Sequence, residues 1–175
     1  MTADIKIRDS LLGDVPSLES LYPTVFPDED LLPVVRNLLR EGDIVLSLVA
    51  TGNGELVGHV MFSICRVAGF PDKVALLGPL AVAPASQRRG IGSALIQDGF
   101  QRLRIDGVTQ VYVLGDPGYY RRHGFVSEDA VAPPYPLAEE WDGAWQSVEL
   151  NETDQRYHGQ LSVTPSWSHP ELWQP

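Results

Sequence analysis

The spacing of apolar and polar residues predicts that the chain begins with a strand followed by two helices. Residues 4–10, DIKIRDS, alternate apolar and polar side chains as a half-buried strand does. Asp14 is a candidate N-cap for a short helix that ends near Tyr22. Residues 28–42 carry acidic side chains first, then an apolar stripe and then Gly42 as a stop, which predicts the second helix.

A hairpin is predicted next. The apolar segments 43–51 and 55–67 are joined by a turn that contains Gly52, Asn53 and Gly54, which is a strong hairpin signal. We therefore expect these two segments to pair as antiparallel neighbours.

A strand, a helix and another strand follow, over residues 73–83, 90–105 and 109–115. Because parallel strands need a long connection, this arrangement predicts a parallel pair joined by a right-handed crossover. The elements predicted beyond it are a brief helix or turn over 117–124 and strands over 124–128, 145–150 and 158–163. The whole order predicts an α/β (α+β) domain with a mixed, mostly antiparallel central sheet.

The composition is that of one ordinary globular domain. The chain has 175 residues, of which 43% are hydrophobic and 21% charged, so a single domain over residues 1–175 is expected. The one cysteine, Cys65, is expected to be a buried, reduced thiol, because no disulfide framework or metal-ligand spacing accompanies it. The N-terminus has no signal-peptide pattern and no apolar run is long enough to cross a bilayer, so the sequence predicts a soluble, cytoplasmic protein without a membrane partner.

The net charge of −10 is unevenly distributed. Residues 88–122 contain six arginines and three acidic residues, whereas residues 123–175 contain one arginine and nine acidic residues. Most of such a surface would repel a nucleic acid, so the charge argues against nucleic-acid binding. Two pairs of arginines in the cationic segment, Arg88–Arg89 and Arg121–Arg122, flank predicted loops. These arginines favour a local anion site.

The cationic segment opens with a pattern that predicts where this anion binds. An apolar strand runs into a helix through residues 84–92, PASQRRGIG, which include Gly90 and Gly92. The unpaired amides and the positive dipole end of a helix favour an anion, and glycines let it approach closely. Since each glycine costs a helix about 1 kcal/mol against alanine, we expect a pyrophosphate site, the alternative being a tight packing contact. Leu95 stands where the dinucleotide fingerprint needs a third glycine, and no Gly-Lys-Ser/Thr sequence follows, so neither common nucleotide loop fits.

Two segments resemble motifs of the GNAT superfamily, the GCN5-related N-acetyltransferases. Residues 80–96, LAVAPASQRRGIGSALI, resemble its acyl-CoA motif, and residues 119–126, YYRRHGFV, resemble its later Tyr-x-x-x-Gly-Phe element. The matching positions are Gln87, Gly90 and Gly92 in the first motif and Tyr120, Gly124 and Phe125 in the second. The likeness covers about residues 3–128, and the run VLGDPGYYRRHGF is most similar to the small bacterial acetyltransferases called YhbS-like. The fold that the resemblance implies has helices on both faces of the sheet, which is splayed between its fourth and fifth strands.

The resemblance implies acetyl-CoA as a co-substrate and no metal. In the family the pantetheine arm lies beside the fourth strand, where Gly78 and Pro79 predict a bulge because proline cannot donate to a strand ladder. This implies contacts between pantetheine and the backbone of Leu80 and Val82. The residues implied to surround the pyrophosphate, chiefly through main-chain N–H groups, are Gln87, Arg88, Arg89, Gly90, Gly92 and Ser93.

The resemblance also implies direct transfer of the acetyl group to a primary amine, with Tyr120 as the general acid that protonates the leaving thiolate. A phenol with an ordinary pKa of about 10 is protonated at neutral pH and able to donate. An aromatic ring packed under a short helix is the structural alternative, and Tyr119 is the neighbouring candidate for the same role.

The general base is not identified by the sequence. The fourth strand, VALLGPLAV, contains no acidic residue. His59 is a candidate base or substrate contact, the alternative being a hydrogen-bonded core residue, and His123 is a weaker candidate. The Asn that commonly follows the fifth strand of the family is absent, and Gly115 and Asp116 stand there instead.

Acidic and aromatic residues predict a cationic amine acceptor, either a small molecule or a peptide. In the regions that form the family's substrate walls, the sequence has Asp28, and then Glu139 and Glu140 close to Trp141 and Trp145. Carboxylates and aromatic faces attract cations. The alternative is a plain solvated acidic surface.

A non-catalytic acyl-CoA-binding sensor or regulatory module is the alternative to an enzyme, because no general base is identified. Both functions require binding of acetyl-CoA, and a homodimer is left open as the assembly.

Overall fold

The computed structural model describes residues 4–175. Residues 1–3, which belong to the N-terminal segment predicted to lack a secretion signal, lie outside the described residues. The strands of the described part are β1 (Ile5–Asp9), β2 (Val45–Gly52), β3 (Glu55–Val67), β4 (Val74–Val82), β5 (Gln110–Leu114), β6 (Val126–Ser127), β7 (Val131–Ala132), β8 (Trp145–Glu149) and β9 (Gly159–Ser162). Its α-helices are α1 (Val15–Val25), α2 (Leu32–Arg40), α3 (Ile91–Ile105) and α4 (Pro117–Tyr120).

The chain forms two compact units. The first consists of the described residues up to Phe62 together with Pro79–Gln101, and the second of Ser63–Gly78 and Arg102–Pro175. β3, β4 and α3 each contribute residues to both units. A single domain over residues 1–175 stays a prediction.

In the first unit, β1 pairs antiparallel with β2, and Ile5 lies opposite Gly52. β2 neighbours β3, and the turn between them holds Asn53 and Gly54 at φ angles of 53° and 79°. Positive φ at both positions is what a tight hairpin turn requires, so the predicted hairpin is confirmed. α1 and α2 bury the apolar residues Leu18, Leu21, Tyr22, Val34, Val35 and Leu38.

Two helix boundaries differ from their predictions. α1 continues past Tyr22 to Val25 although Pro23 has no N–H to donate. The last turn is closed by the Phe26 amide, which donates to the Tyr22 carbonyl at 2.8 Å. α2 begins only at Leu32, so the acidic residues predicted to open it precede it.

The side chain of Asp14 does not cap α1 within the described structure. Its carboxylate instead accepts hydrogen bonds from the Arg8 guanidinium at 2.7 and 2.9 Å and from the Leu11 amide at 2.7 Å. The hydrogen bonds from Arg8 hold the pKa of Asp14 below its ordinary value, with the Leu11 amide acting in the same direction. Asp14 therefore fixes the turn after β1.

In the second unit, β4 and β5 pair parallel, with Ala75 to Leu77 opposite Val111 to Val113. β5 pairs antiparallel with β8, and β8 antiparallel with β6. β9 pairs antiparallel with the end of β3 and parallel with β7. The predicted parallel crossover and the predicted mixed, mostly antiparallel sheet are confirmed.

The pairing of β4 with β5 ends before β4 does. It stops at Leu77, whereas β4 continues to Val82. Gly78 has a φ angle of 150°, and the next residue, Pro79, has no N–H to donate. The ladder between the two strands therefore ends before Gly78, which is consistent with the splay expected between the fourth and fifth strands.

An apolar cluster forms the core of the second unit. Its buried members are Cys65, Val67, Val74, Leu76, Tyr112, Val131, Trp145, Tyr157, Leu161 and Trp173. Cys65 is 7% exposed, and burial raises the pKa of its thiol to about 12. The prediction of a buried, reduced thiol is confirmed.

A close contact between α3 and β3 holds the helix in place in the first unit. Gly99 lies over the ring of Phe62, which is fully buried and packs against Phe100 with ring centroids 6.3 Å apart. A Cβ added at Gly99 would lie 2.3 Å from Cε2 of Phe62, so only glycine allows this approach.

We predict that Gly99→Ala destabilises the protein by about 1–3 kcal/mol, because the methyl group overpacks the core, although alanine is the better helix former by about 1 kcal/mol. Urea unfolding measures the change. Gly13→Ala is the control, since no atom of the described chain lies within 4 Å of the added methyl group. Equal effects of the two substitutions would contradict the packing argument.

His59 lies in the core of the first unit and is fully buried. Its Nδ1 is 2.6 Å from the Tyr22 hydroxyl and its Nε2 is 2.8 Å from Oγ of Ser47. The Ser47 hydroxyl in turn accepts a hydrogen bond from Ser10 at 2.7 Å. Burial lowers the pKa of His59 to about 3, with the Asp14 carboxylate acting in the opposite direction. The imidazole is therefore neutral at physiological pH.

We predict that His59 makes the protein acid-sensitive at a pH where carboxylates stay ionised. The unfolded chain protonates this histidine near pH 6.5, whereas the folded chain excludes the proton down to about pH 3, so stability falls as the pH drops through this window. Between pH 7 and 5 the free energy of unfolding should fall by about 2 kcal/mol on this account. Urea unfolding of the wild type and of His59→Gln at both pH values measures it, and the idea fails if the two proteins lose stability equally.

Candidate functional site

The loop between β4 and α3 is tied down at its start. The Ala83 amide donates to the Val57 carbonyl at 2.8 Å, and a short 3-10 turn follows over Pro84–Ser86. The side-chain amide of Gln87 then donates to the carbonyl of Val82 at 3.0 Å. Gln87 therefore fixes the loop to the end of β4, and this contact uses the carbonyl of one of the two residues expected to face pantetheine.

The second half of the loop turns sharply into α3. Arg88 and Gly90 have φ angles of 64° and 79°, in the left-handed region that favours glycine. Backbone strain at a non-glycine residue such as Arg88 is typical of functional loops. α3 begins at Ile91, and its first helical bond runs from the Ala94 amide to the Gly90 carbonyl at 3.0 Å. The amides before Ala94 are therefore free of intrahelical bonds and point out of the helix end.

The residues predicted to bind pyrophosphate thus lie together on one turn and the first turn of one helix. Arg88, Arg89 and Gly90 are exposed, whereas Gly92 is buried and Ser93 is half-buried. Main-chain N–H groups, the positive end of a helix dipole and two exposed arginines therefore belong to one short stretch of a protein of net charge −10. This arrangement can bind a phosphate-containing anion. Leu80 and Val82, both half-buried, lie on β4 just before it.

Tyr120 follows β5 on the short helix α4. The Asp116 carboxylate caps this helix by accepting from the Gly118 amide at 2.9 Å, and Pro117 occupies its first position. The Tyr120 amide bonds to the Asp116 carbonyl at 3.0 Å. The short Gly-Asp-Pro connection therefore places Tyr120 one turn after the end of β5.

The ring of Tyr120 packs closely against its own unit. It meets Phe125 edge-on at 5.6 Å and Tyr119 edge-on at 5.0 Å between centroids. Burial raises the pKa of Tyr120, and the neighbouring Tyr119 and Asp116 raise it further. The phenol is therefore protonated at neutral pH, as a general acid must be.

Sequence reasoning did not predict how Gly115 and Gln146 support the position of Tyr120. A Cβ at Gly115 would lie 2.4 Å from the Tyr120 ring, so the ring needs a glycine at the end of β5. Gln146 is 2% exposed and donates to the Gly115 carbonyl at 3.1 Å and to the Ala144 carbonyl at 3.2 Å. A glycine directly after a strand is a sequence signal for a close contact, and Gly115 gives that signal. The partner of Gln146 could not be predicted locally, because it depends on the pairing of β5 with β8.

Tyr119, the neighbouring candidate, packs in another direction. Its ring lies under the Arg122 guanidinium at 5.0 Å and beside the His123 ring at 5.4 Å. His123 is 8% exposed, and its Nε2 has no hydrogen-bond partner among residues 4–175. Burial lowers the pKa of His123, and Arg122 adds to this effect.

The residues predicted to bind the acceptor are divided between the two units. Asp28 and His59 belong to the first unit, where Asp28 is exposed and His59 is buried with both ring nitrogens hydrogen-bonded. Glu139 and Glu140 belong to the second unit, and only Glu139 lines its cavity of about 660 Å³. The acidic and aromatic side chains that line this cavity are Glu128, Asp129, Glu139, Asp142, Tyr135, Trp141 and Trp145.

No group of three or more His, Cys, Asp or Glu side chains in residues 4–175 is arranged to hold a metal ion. No helix in the same stretch combines the length and the apolar composition needed to span a membrane.

Comparison with known proteins places the chain in a family. The model of the acetyltransferase (GNAT) family matches residues 15–125. The uncharacterized N-acetyltransferase YjhQ of Escherichia coli (strain K12) is 39% identical over 110 residues, which cover 60% of this chain and 61% of YjhQ, less than two thirds of its length. The uncharacterized N-acetyltransferase YhbS of the same strain is 30% identical over 146 residues, which cover 83% of this chain and 85% of YhbS.

Solved structures are similar over nearly the whole chain. The crystal structure of the GNAT family N-acetyltransferase YhbS from Escherichia coli in complex with CoA is 26% identical, with a TM-score of 0.85 over 97% of this chain and 94% of that one. A GNAT family acetyltransferase from Brucella melitensis in complex with acetyl-CoA is 26% identical, with a TM-score of 0.75 over 95% of this chain and 100% of that one. The predicted fold class and the predicted resemblance to YhbS are confirmed, and the chain belongs to the GNAT family of acetyltransferases.

Proposed function

We propose that this protein transfers an acetyl group from acetyl-CoA directly to a primary amine. The observation that carries the proposal is the turn at residues 87–93, where exposed arginines stand next to the free amides at the start of α3, a combination that favours an anion. The complexes of its relatives with CoA and acetyl-CoA support the identity of the anion.

The coenzyme's pyrophosphate binds to main-chain N–H groups of this turn, and Arg88 and Arg89 add attraction at longer range. Pantetheine runs along the end of β4. Because the Gln87 side chain already bonds to the Val82 carbonyl, pantetheine contacts other backbone groups of Leu80 and Val82. The Leu80 amide polarises the thioester carbonyl as a one-donor oxyanion hole.

The transfer breaks one bond and forms one. The neutral amine nitrogen attacks the thioester carbonyl carbon, a C–N bond forms, and the C–S bond breaks. The CoA sulfur leaves as a thiolate and takes a proton from the Tyr120 hydroxyl, while the amine nitrogen gives up its proton to solvent. Burial keeps the Tyr120 phenol protonated before the reaction and favours its rapid reprotonation afterwards.

The acceptor carries a positive charge besides the reacting amine. The cavity of the second unit supports this, because aromatic rings and carboxylates line it and its lining residues include no lysine, arginine or histidine. Aromatic faces and carboxylates together favour an organic cation.

We predict that Tyr120→Phe slows CoA release at least about 100-fold with an amine substrate, because the thiolate loses its proton donor. Acetyl-CoA should raise the melting temperature of this variant as much as that of the wild type, since the pyrophosphate site is intact. Tyr119→Phe is the matched control and should keep the wild-type rate. Chromatography of free CoA and thermal unfolding supply the two measurements.

The same experiment separates the enzyme from a non-catalytic acyl-CoA sensor. A sensor would gain thermal stability with acetyl-CoA and release no CoA with any amine of a panel. Equal rates in Tyr120→Phe and the wild type would remove Tyr120 from the mechanism.

We predict that Glu139→Lys lowers the preference for cationic acceptors about 2- to 5-fold, as expected for a partly solvated charge. The preference is the ratio of CoA-release rates with 1,4-diaminobutane and with 4-aminobutan-1-ol. Glu140→Lys changes the net charge equally, but Glu140 does not belong to the cavity lining, so its ratio should stay unchanged. Equal ratios in both variants and the wild type would contradict the proposal that the acceptor is cationic.

A further inference from the structure

The side chain of Gln146 lies close to the point where the pairing of β5 with β8 ends. Gln146 is opposite Val113 in this ladder, and the next pair, Leu114 with Trp145, is the last one. The side chain is 2% exposed although its amide carries two N–H donors. A buried amide is costly unless its donors are hydrogen-bonded, so the partners of these two N–H groups fix its position.

Both backbone polar groups of Gly115 are held by the segment that contains Gln146. The Gly115 N–H donates to the Ala144 carbonyl at 3.0 Å, and the Gly115 carbonyl accepts from Nε2 of Gln146 at 3.1 Å. The same Nε2 donates to the Ala144 carbonyl at 3.2 Å, so both of its N–H groups are used. The N–H belongs to the peptide group before Gly115 and the carbonyl to the one after it. Gln146 therefore fixes the second of these peptide groups, beside a residue type with unusual backbone freedom.

The peptide group that Gln146 holds directly precedes the helix that carries Tyr120. It joins Gly115 to Asp116, whose carboxylate caps α4 and whose carbonyl accepts a hydrogen bond from the Tyr120 amide at 3.0 Å. The Tyr120 ring also lies directly over Gly115, since a Cβ added at this glycine would overlap the ring. A rotation of the backbone at Gly115 would therefore move both the start of α4 and the surface against which the ring packs.

We propose that Gln146 is a positioning residue for acetyl transfer, an inference that rests on the proposed role of Tyr120 as general acid. A proton reaches the departing sulfur only if the Tyr120 hydroxyl lies within hydrogen-bond reach of it. A small displacement of a reacting group can slow a reaction about 100-fold. Because both N–H groups of Gln146 are bonded to backbone carbonyls, its amide has none to offer the coenzyme or the acceptor. Gln146 therefore acts through Gly115 and Tyr120 on the rate of the chemical step, and not on binding.

Gln146→Met tests this role, because methionine has a similar length and removes both N–H donors. With the amine of a panel that the wild type acetylates fastest, kcat for CoA release should fall at least about tenfold, while KM for acetyl-CoA stays within about twofold. Gln110→Met is the matched control. Gln110 lies at the opposite end of β5 and accepts a hydrogen bond from the Tyr112 hydroxyl at 2.5 Å, so its replacement also removes a side-chain hydrogen bond of this strand. The control should keep the wild-type kcat even if urea unfolding shows an equal loss of stability.

A double-mutant cycle measures whether Gln146 acts through Tyr120. Adding Gln146→Met to Tyr120→Phe should slow CoA release by less than about twofold further, since the hydroxyl that Gln146 positions is already absent. A further loss as large as that in the wild-type background would mean that Gln146 acts elsewhere, and it would overturn the inference.

The outcomes separate this inference from the function on which it rests. An unchanged kcat in Gln146→Met, with Tyr120→Phe slow, overturns the role of Gln146 alone. Equal rates in Tyr120→Phe and the wild type remove Tyr120 from the mechanism and this inference with it. A wild type that releases no CoA with any amine overturns the proposed function as well. If Gln146→Met does not fold, Gln146→Glu decides, because it keeps the side-chain shape and offers at most one donor in place of two.

Discussion

The short parallel pairing of β4 with β5 is the interaction on which the candidate site depends. Only Ala75 to Leu77 pair with β5, so β4 keeps backbone groups beyond that point for another partner. β4 then leads into the turn proposed to bind the anion and into α3, and β5 leads into the capped helix that carries Tyr120. A longer ladder would have used the same backbone groups for strand pairing. The constraint that ends the ladder is local, a glycine followed by a proline.

Electrostatics at the turn differ from those of the protein as a whole. A chain with a net charge of −10 repels an anionic coenzyme at long range. The proposed site overcomes this with fixed main-chain donors at the start of α3, which act at contact distance and are hardly screened. Arg88 adopts a left-handed backbone conformation in this turn. The proposed binding therefore depends on the geometry of these donors more than on net charge.

Local signals predicted more than distant ones. The hairpin at Asn53–Gly54, the order of the elements and the turn before α3 followed from neighbouring residues, because backbone conformation and capping are set within a few positions. The partners of His59 and the contact of Trp167 with Gly78 did not, since they join elements far apart in the chain. The sequence also did not predict the directions of side chains. Gln87 bonds to the carbonyl of Val82 on the preceding strand, and only Glu139 of the two neighbouring glutamates lines the cavity.

The buried position of Cys65 has a consequence for how the reaction can be followed. Disulfide exchange and alkylation require an accessible thiolate, and the sulfur of Cys65 is both enclosed and protonated. It is the only cysteine in the sequence. A thiol-reactive dye added to the native protein would therefore report the liberated coenzyme with little background, and oxidised coenzyme would leave the protein unmodified.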